Sequence, residues 1–226
     1  MTEVIAFELA TFRHPEPELQ ASRGIVMGFA VRHDRGVLLV DTGFGFGDPE
    51  LDAYFDIRAR RIDEAMRDAG VHRDEVSGLM NCHLHVDHAG QNAAFPSVPT
   101  FVQTAEWALR LEPDHTIRGW VDYPGADIRT IDGDLDVAPG MRILATPGHT
   151  AGHQSLAVET GAGLVVLAGQ ACYTSDEWSG ADTRYEGRST AGDVGAYDRS
   201  IERLRGLDPA IVWFGHDRDP WVRRNR

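Results

Sequence analysis

Short apolar runs separated by Gly, Pro and charged clusters open the chain, and residues 4–12, 24–31 and 37–40 each read as a strand. The period then changes. Ile62, Ala65, Met66 and Ala69 recur at helical spacing among Arg, Asp and Glu, with Gly70 behind them as a stop, which predicts an amphipathic helix. Beyond it, 76–81 and 100–103 read as buried strands and 105–111 as a short helix. The stretch 112–126 carries two prolines, two glycines, Trp120 and Tyr123 with no period, and predicts a long loop. From Ile128 the β pattern returns, with strands over 142–145, 154–159 and 164–168. Val194, Tyr197, Ile201 and Leu204 mark a closing helix before Gly206, and 210–214 a last strand. Each half therefore runs strands, helix, strand. That order predicts an α/β fold of two packed β layers with helices outside, in one domain spanning 1–226.

Composition narrows the class. Of 226 residues, 42% are hydrophobic and 25% charged, as expected of a globular protein with a substantial core. No basic leader and no long apolar segment is seen, so neither a secretory signal nor a membrane span is expected. Cys82 and Cys172 are the only cysteines, which excludes a Cys-rich zinc module and a disulfide framework and points to a reducing cytoplasm. All 22 basic residues are arginine, so Schiff-base chemistry and lysine-dependent phosphate loops drop out. Against 35 acids they leave a net charge of -13, which disfavours a nucleic-acid partner. A neutral or amphipathic small molecule fits better. A homodimer is permitted by aromatics in the N-terminal half, although no pattern demonstrates one.

The densest chemistry lies in Asn81-Cys82-His83-Leu84-His85-Val86-Asp87-His88-Ala89-Gly90, where three imidazoles follow a predicted strand and flank a carboxylate. A tight loop at a strand end turns alternate side chains inward, and these are the ligand types that hold Zn, Fe or Mn. His149, in Thr146-Pro147-Gly148-His149-Thr150, and His216, in Phe214-Gly215-His216-Asp217, also follow predicted strands. Alone, either would more often be a cap or a surface histidine. Together with the first cluster they supply enough ligands for two metals.

On these residues the chain resembles the metallo-β-lactamase superfamily, whose signature is H-x-H-x-D-H followed by distant His, Asp and His ligands. The resemblance runs from about Val37 to Asp217. The segments TPGHTAGHQSLAVET from Thr146, Ala171-Cys172-Tyr173-Thr174 and 214–217 are most similar to N-acyl homoserine lactonases. The resemblance implies an αβ/βα four-layer sandwich with the metal site at the sheet edges. It implies His83, His85 and His149 on a first metal and Asp87, His88 and His216 on a second. Zinc is the expected ion, as one or two ions, with Fe, Mn or Co as alternatives. Asp41, in Val40-Asp41-Thr42-Gly43, matches an aspartate that accepts a hydrogen bond from a ligand histidine and fixes its tautomer. Here the chain departs from the pattern: the family's metal-bridging aspartate is replaced by Gln170, a neutral and weaker ligand. A tightly held first metal and a weaker second one are the expected consequence.

A metal with an open coordination position lowers the pKa of its water toward about 7, which makes a hydrolase the natural consequence. The resemblance implies attack on a lactone carbonyl, with Asp87 orienting the nucleophile or relaying its proton and Tyr173 hydrogen-bonding the carbonyl region. Phe44, Phe46, Tyr54 and Phe55 crowd one loop region, while Trp120, Tyr123 and Trp178 lie in others. Of these, Phe46, Trp120 and Trp178 are the candidates for lining an acyl-chain groove. His153 reads as structural, and His14, His33, His72 and His115 receive no function. Cys82 and Cys172 read as buried packing. Thioester hydrolysis of the glyoxalase II type and β-lactam hydrolysis are rival activities on the same scaffold, and a single-iron oxidative chemistry is a remoter one. The alternative of another class is a non-catalytic metal- and ligand-binding protein whose site Gln170 has made degenerate.

Overall fold

The apolar run 24–31 sends alternate side chains into two different interiors, and that alternation organises the molecule. Ile25, Met27, Phe29 and Val31 face one interior while Val26 and Ala30 face the other. A computed structural model describes residues 2–14, 23–181 and 187–224. Its first half contains β1 (Glu3–Arg13), β2 (Arg23–His33), β3 (Gly36–Val40), α1 (Pro49–Phe55), β4 (Arg58–Ala59), α2 (Ile62–Asp68), β5 (Val76–Met80), α3 (Val86–Ala89), β6 (Pro99–Gln103), α4 (Thr104–Leu109), α5 (Arg118–Val121) and β7 (Asp127–Ile131). The second contains β8 (Leu135–Ala138), β9 (Met141–Ala145), β10 (Gln154–Thr160), β11 (Gly163–Leu167), α6 (Ser175–Ser179), α7 (Val194–Gly206), β12 (Ile211–Trp213) and β13 (Trp221–Val222).

These strands form two mixed sheets. The first is ordered β4-β1-β2-β3-β5-β6-β7, the second β13-β12-β11-β10-β9-β8. Between them Met27, Phe29, Leu38, Val40 and Met80 meet Ile143, Leu156, Val158, Val165 and Leu167. On the outer face of the first sheet, Leu9, Leu39 and Leu79 pack on Ile62, Ala65 and Met66 of α2. On the outer face of the second, Leu144, Val166 and Val212 pack on Tyr197, Ile201 and Leu204 of α7. The layers are therefore helix, sheet, sheet, helix, the αβ/βα sandwich. Because β3 buries both faces, residues 37–40 read as a continuous apolar run rather than an alternating one.

Differences from the sequence reading are local. The stretch 112–126 contains the single-turn helix α5. Helix α1 was not foreseen, although Asp48 accepts the Leu51 N–H at 2.9 Å and Pro49 stands at its first turn. Gly70 stops α2 with φ +77, a left-handed conformation open to glycine. Among the described residues no helix is long and apolar enough to cross a membrane.

Candidate metal centre

At the C-terminal end of β5 the chain leaves the sheet through Asn81 and Cys82. Leu84 is fully buried against Ala89, Val102 and Val121, so its neighbours His83 and His85 face the opposite way. The motif does not continue as a loop. It closes into the one-turn helix α3, which brings Asp87 and His88 back over the sheet edge. Asn81 fastens this turn by donating to the His88 carbonyl at 3.0 Å.

Two further turns add the distant histidines. After β9, Gly148 adopts φ +145 and lies so close to α7 that a Cβ there would sit 2.4 Å from Tyr197 Cα. That contact presents His149 to the site. After β12, His216 Nδ1 donates to the Ile25 carbonyl at 2.6 Å, which directs its Nε2 inward. His88 is oriented in the same way, its Nδ1 lying 2.9 Å from Asp41 Oδ2.

The side chains form two adjoining groups. His85 Nδ1 lies 2.9 Å from His83 Nε2 and 3.2 Å from His149 Nε2, so three ring nitrogens converge. Asp87 Oδ2 lies 3.2 Å from His88 Nε2 and 3.6 Å from His216 Nε2. Neither of these contacts is aligned as a hydrogen bond, and both Nε2 atoms are buried without one. Gln170 Oε1 is likewise buried and unbonded. Buried polar atoms are otherwise almost always paired, so these unpartnered atoms fit a cation. Five imidazoles, one carboxylate and one amide oxygen suit zinc and its first-row neighbours.

Electrostatics agree with that donor set. Burial, reinforced by neighbouring imidazoles, holds His83 and His149 well below the ordinary histidine value. Burial also lowers His85 and His216 to about 4, so their nitrogens are lone-pair donors at neutral pH. Burial pushes Asp87 up, but His88, His216 and His85 outweigh it and hold the carboxyl well below the usual range. His88 is the exception: burial disfavours its charge, yet the Asp87 and Asp41 carboxylates beside it raise its value. A cation held at Nε2 would take the place of that proton and release it.

Gln170 is positioned by His153. The His153 Nδ1–H donates to the Thr146 carbonyl at 3.0 Å, and Nε2 accepts the Gln170 N–H at 2.9 Å. Cys82 is buried between His83 Nδ1 at 3.1 Å and His88 Nδ1 at 3.3 Å. Its thiol, pushed up by burial, stays protonated.

Over the donors lies a cleft of about 220 Å³ whose walls include Phe12, His14, Phe44, Phe55 and Tyr173. It shares Phe55, His85, Val86 and Asp87 with a wider groove of about 720 Å³, which adds Leu51, Tyr54, His115 and Ile117. The three aromatics expected to line a groove are elsewhere. Trp178 is buried in the core beside Phe214 and Trp221, at ring separations of 6.3 and 6.0 Å. Trp120 packs on Gly45, where a Cβ would lie 2.6 Å from its ring. Phe46 is half-exposed, 5.8 Å from the Arg61 guanidinium. Aromatic counts along a chain do not reveal which face each ring takes, whereas Phe44, Tyr54 and Phe55 from the same region do face the cleft.

Sequence reasoning passed over Glu106 and His115. Glu106 lies in the first turn of α4, where an acid reads as an ordinary helix-start residue, yet it is fully buried. His115 Nε2 lies 2.8 Å from Glu106 Oε1, and its ring packs on His85 at 4.7 Å.

Comparison with known proteins agrees with this geometry. The model of the Metallo-beta-lactamase superfamily matches residues 22–216. The N-acyl homoserine lactonase AiiA of Bacillus thuringiensis subsp. kurstaki is 30% identical over 202 residues, covering 84% of this chain and 80% of the relative. A quorum-quenching N-acyl homoserine lactone lactonase structure superposes with a TM-score of 0.78 at 26% identity, covering 95% of this chain and 92% of that one. An N-acyl homoserine lactone hydrolase with N-hexanoyl-L-homoserine bound at its catalytic metal centre superposes at 0.76 with 28% identity, over 96% and 93% of the two chains. The chain belongs to the metallo-beta-lactamase superfamily.

Proposed function

We propose that this protein is a metal-dependent hydrolase that opens the lactone ring of N-acyl homoserine lactones. One observation carries the reading: the nitrogens of His83, His85 and His149 converge beside Asp87, His88 and His216 at the floor of an aromatic cleft. A relative 30% identical is an N-acyl homoserine lactonase, which supports the choice of substrate. In this reading His83, His85 and His149 hold a first metal and Asp87, His88 and His216 a second. Gln170 Oε1 contributes a neutral oxygen. Zinc suits this set. A cation bound there supplies Lewis acidity and lowers the pKa of its water.

The chain's own groups do the rest. Asp87 adjoins both histidine groups, and a carboxylate held far below its usual range is a weak base, so its role is to orient the attacking water. The Tyr173 ring stacks on His216 at 4.9 Å and meets His149 edge-on at 5.9 Å, which sets it over the donors. Its hydroxyl is the hydrogen-bonding group for the lactone carbonyl. Phe12, Phe44 and Phe55 exclude water from the reacting ring, and the wider groove beside Leu51, Tyr54 and Ile117 receives the acyl chain.

Gln170 makes the two metal positions unequal. Among the proposed ligands Asp87 is the only anion, so a second divalent ion enters a site short of negative charge. Mass spectrometry tests the activity. The metal-loaded protein should convert an N-acyl homoserine lactone to an acid heavier by one water, and an unchanged lactone would contradict the reading.

A further inference from the structure

Glu106 is fully buried, and both its carboxylate oxygens are used twice. Oε1 accepts the Leu84 N–H at 2.8 Å and lies 2.8 Å from His115 Nε2. Oε2 accepts the Thr150 hydroxyl at 2.6 Å and the Gly152 N–H at 3.2 Å. A carboxylate has about four acceptor positions, so these four contacts saturate it. Burial pushes Glu106 up, but the bonds from His115, Thr150 and the Leu84 N–H outweigh it and keep the group ionised.

The partners are what give this group a role. Leu84 sits between His83 and His85, and Thr150 and Gly152 follow His149. His115 packs its ring on His85. The backbone of α4 is pressed against the second loop as well, since a Cβ on Gly152 would lie 2.2 Å from Glu106 N. One carboxylate therefore touches the loop carrying two of the converging histidines, the loop carrying the third, and a ring behind one of them.

We infer that Glu106 is a positioning residue that sets the spacing of His83, His85 and His149, and through it the affinity and geometry of the metal these three hold. The inference rests on the metal-centre reading but not on the identity of the substrate. Glutamine is nearly isosteric, yet its amide places N–H donors against the donors of Thr150 and Gly152 or of Leu84 and His115. Aspartate is one methylene short of spanning both loops. Neither should rescue the function.

The test is cobalt binding by the full chain, read from the visible spectrum and by competition with a chelator. Glu106→Gln and Glu106→Asp should each weaken the tighter site by about 10- to 100-fold and change the cobalt absorption bands. A control, Val31→Ala at the end of β2 remote from the metal centre, removes buried packing between the sheets without touching either loop and should leave affinity and spectrum unchanged. If the Glu106 variants do not fold, Thr150→Val and His115→Phe each remove one contact and should show the same changes in smaller measure. Wild-type affinity and bands in all of these variants, or an equal loss in Val31→Ala, would overturn the inference. Wild-type protein that binds cobalt but opens no lactone would sink the proposed activity and leave this inference standing. Wild-type protein that holds no cobalt would overturn both.

Discussion

Asp41 Oδ2 lies 2.9 Å from His88 Nδ1 and so fixes the face that His88 shows to Asp87. Its other oxygen accepts the Cys82 N–H at 2.8 Å, tying the end of β3 to the start of the histidine motif. Asp41 does this from a left-handed backbone at φ 63, which aspartate and asparagine tolerate better than most residues. Asp41→Asn should keep the backbone but leave one acceptor oxygen for two donors, and Asp41→Ala should lose both contacts. We expect weaker binding at the Asp87, His88 and His216 position, on the order of 10- to 100-fold for alanine and less for asparagine. Calorimetric titration with zinc measures it, and unchanged affinity in the alanine variant would refute the assignment.

Gln170→Asp tests the charge argument directly. The new carboxylate, one methylene closer to the backbone, replaces the neutral unbonded Oε1 with the missing anion. After exhaustive dialysis the wild type should retain about one metal per chain and the variant about two, read by elemental analysis. Two ions retained by the wild type would remove the basis for calling the sites unequal.

Most of the side chains that cluster at the candidate site were legible because they are concentrated in the sequence. His83, His85, Asp87 and His88 fall within one short motif, and His149 and His216 each follow a predicted strand. Two β layers with helices outside were legible from the order of strands, helix and strand in each half, and the four-layer sandwich from the family resemblance; that 24–31 faces two interiors came only from the structure. Residues whose roles depend on distant partners were not legible. Glu106 becomes a buried acceptor only when two loops separated by more than sixty residues converge on it. Trp178 was misplaced because its contacts, Phe214 and Trp221, come from the far C-terminal part of the chain.

The His153 hydrogen bonds require a neutral ring, because protonating Nε2 would set an N–H against the Gln170 N–H. Burial accordingly lowers His153 from 6.5 to about 4. An unfolded chain takes up this proton as pH falls through about 6.5, and the native protein does so only near 4. The contribution to stability is therefore complete above 6.5 and is lost between 6.5 and 4. By pH 5 the loss amounts to about 2 kcal/mol. Urea unfolding of metal-free protein at pH 7 and pH 5 should show a smaller acid loss in His153→Gln than in the wild type. An identical loss would show that His153 does not titrate in this way.

Tyr173→Phe keeps the ring that stacks on His216 and removes only the hydroxyl. We expect kcat to fall by about 10- to 100-fold with metal content unchanged, the behaviour of a group that acts on developing charge. A variant with full kcat would assign Tyr173 to packing.

The most direct test of the central claim is proton release, followed with a pH indicator, when an N-acyl homoserine lactone meets protein reconstituted with zinc, cobalt or manganese. The account predicts a metal-dependent rate that chelation abolishes and that His83→Ala eliminates. A rate no higher than the chelated control, in protein shown to contain metal, would contradict it.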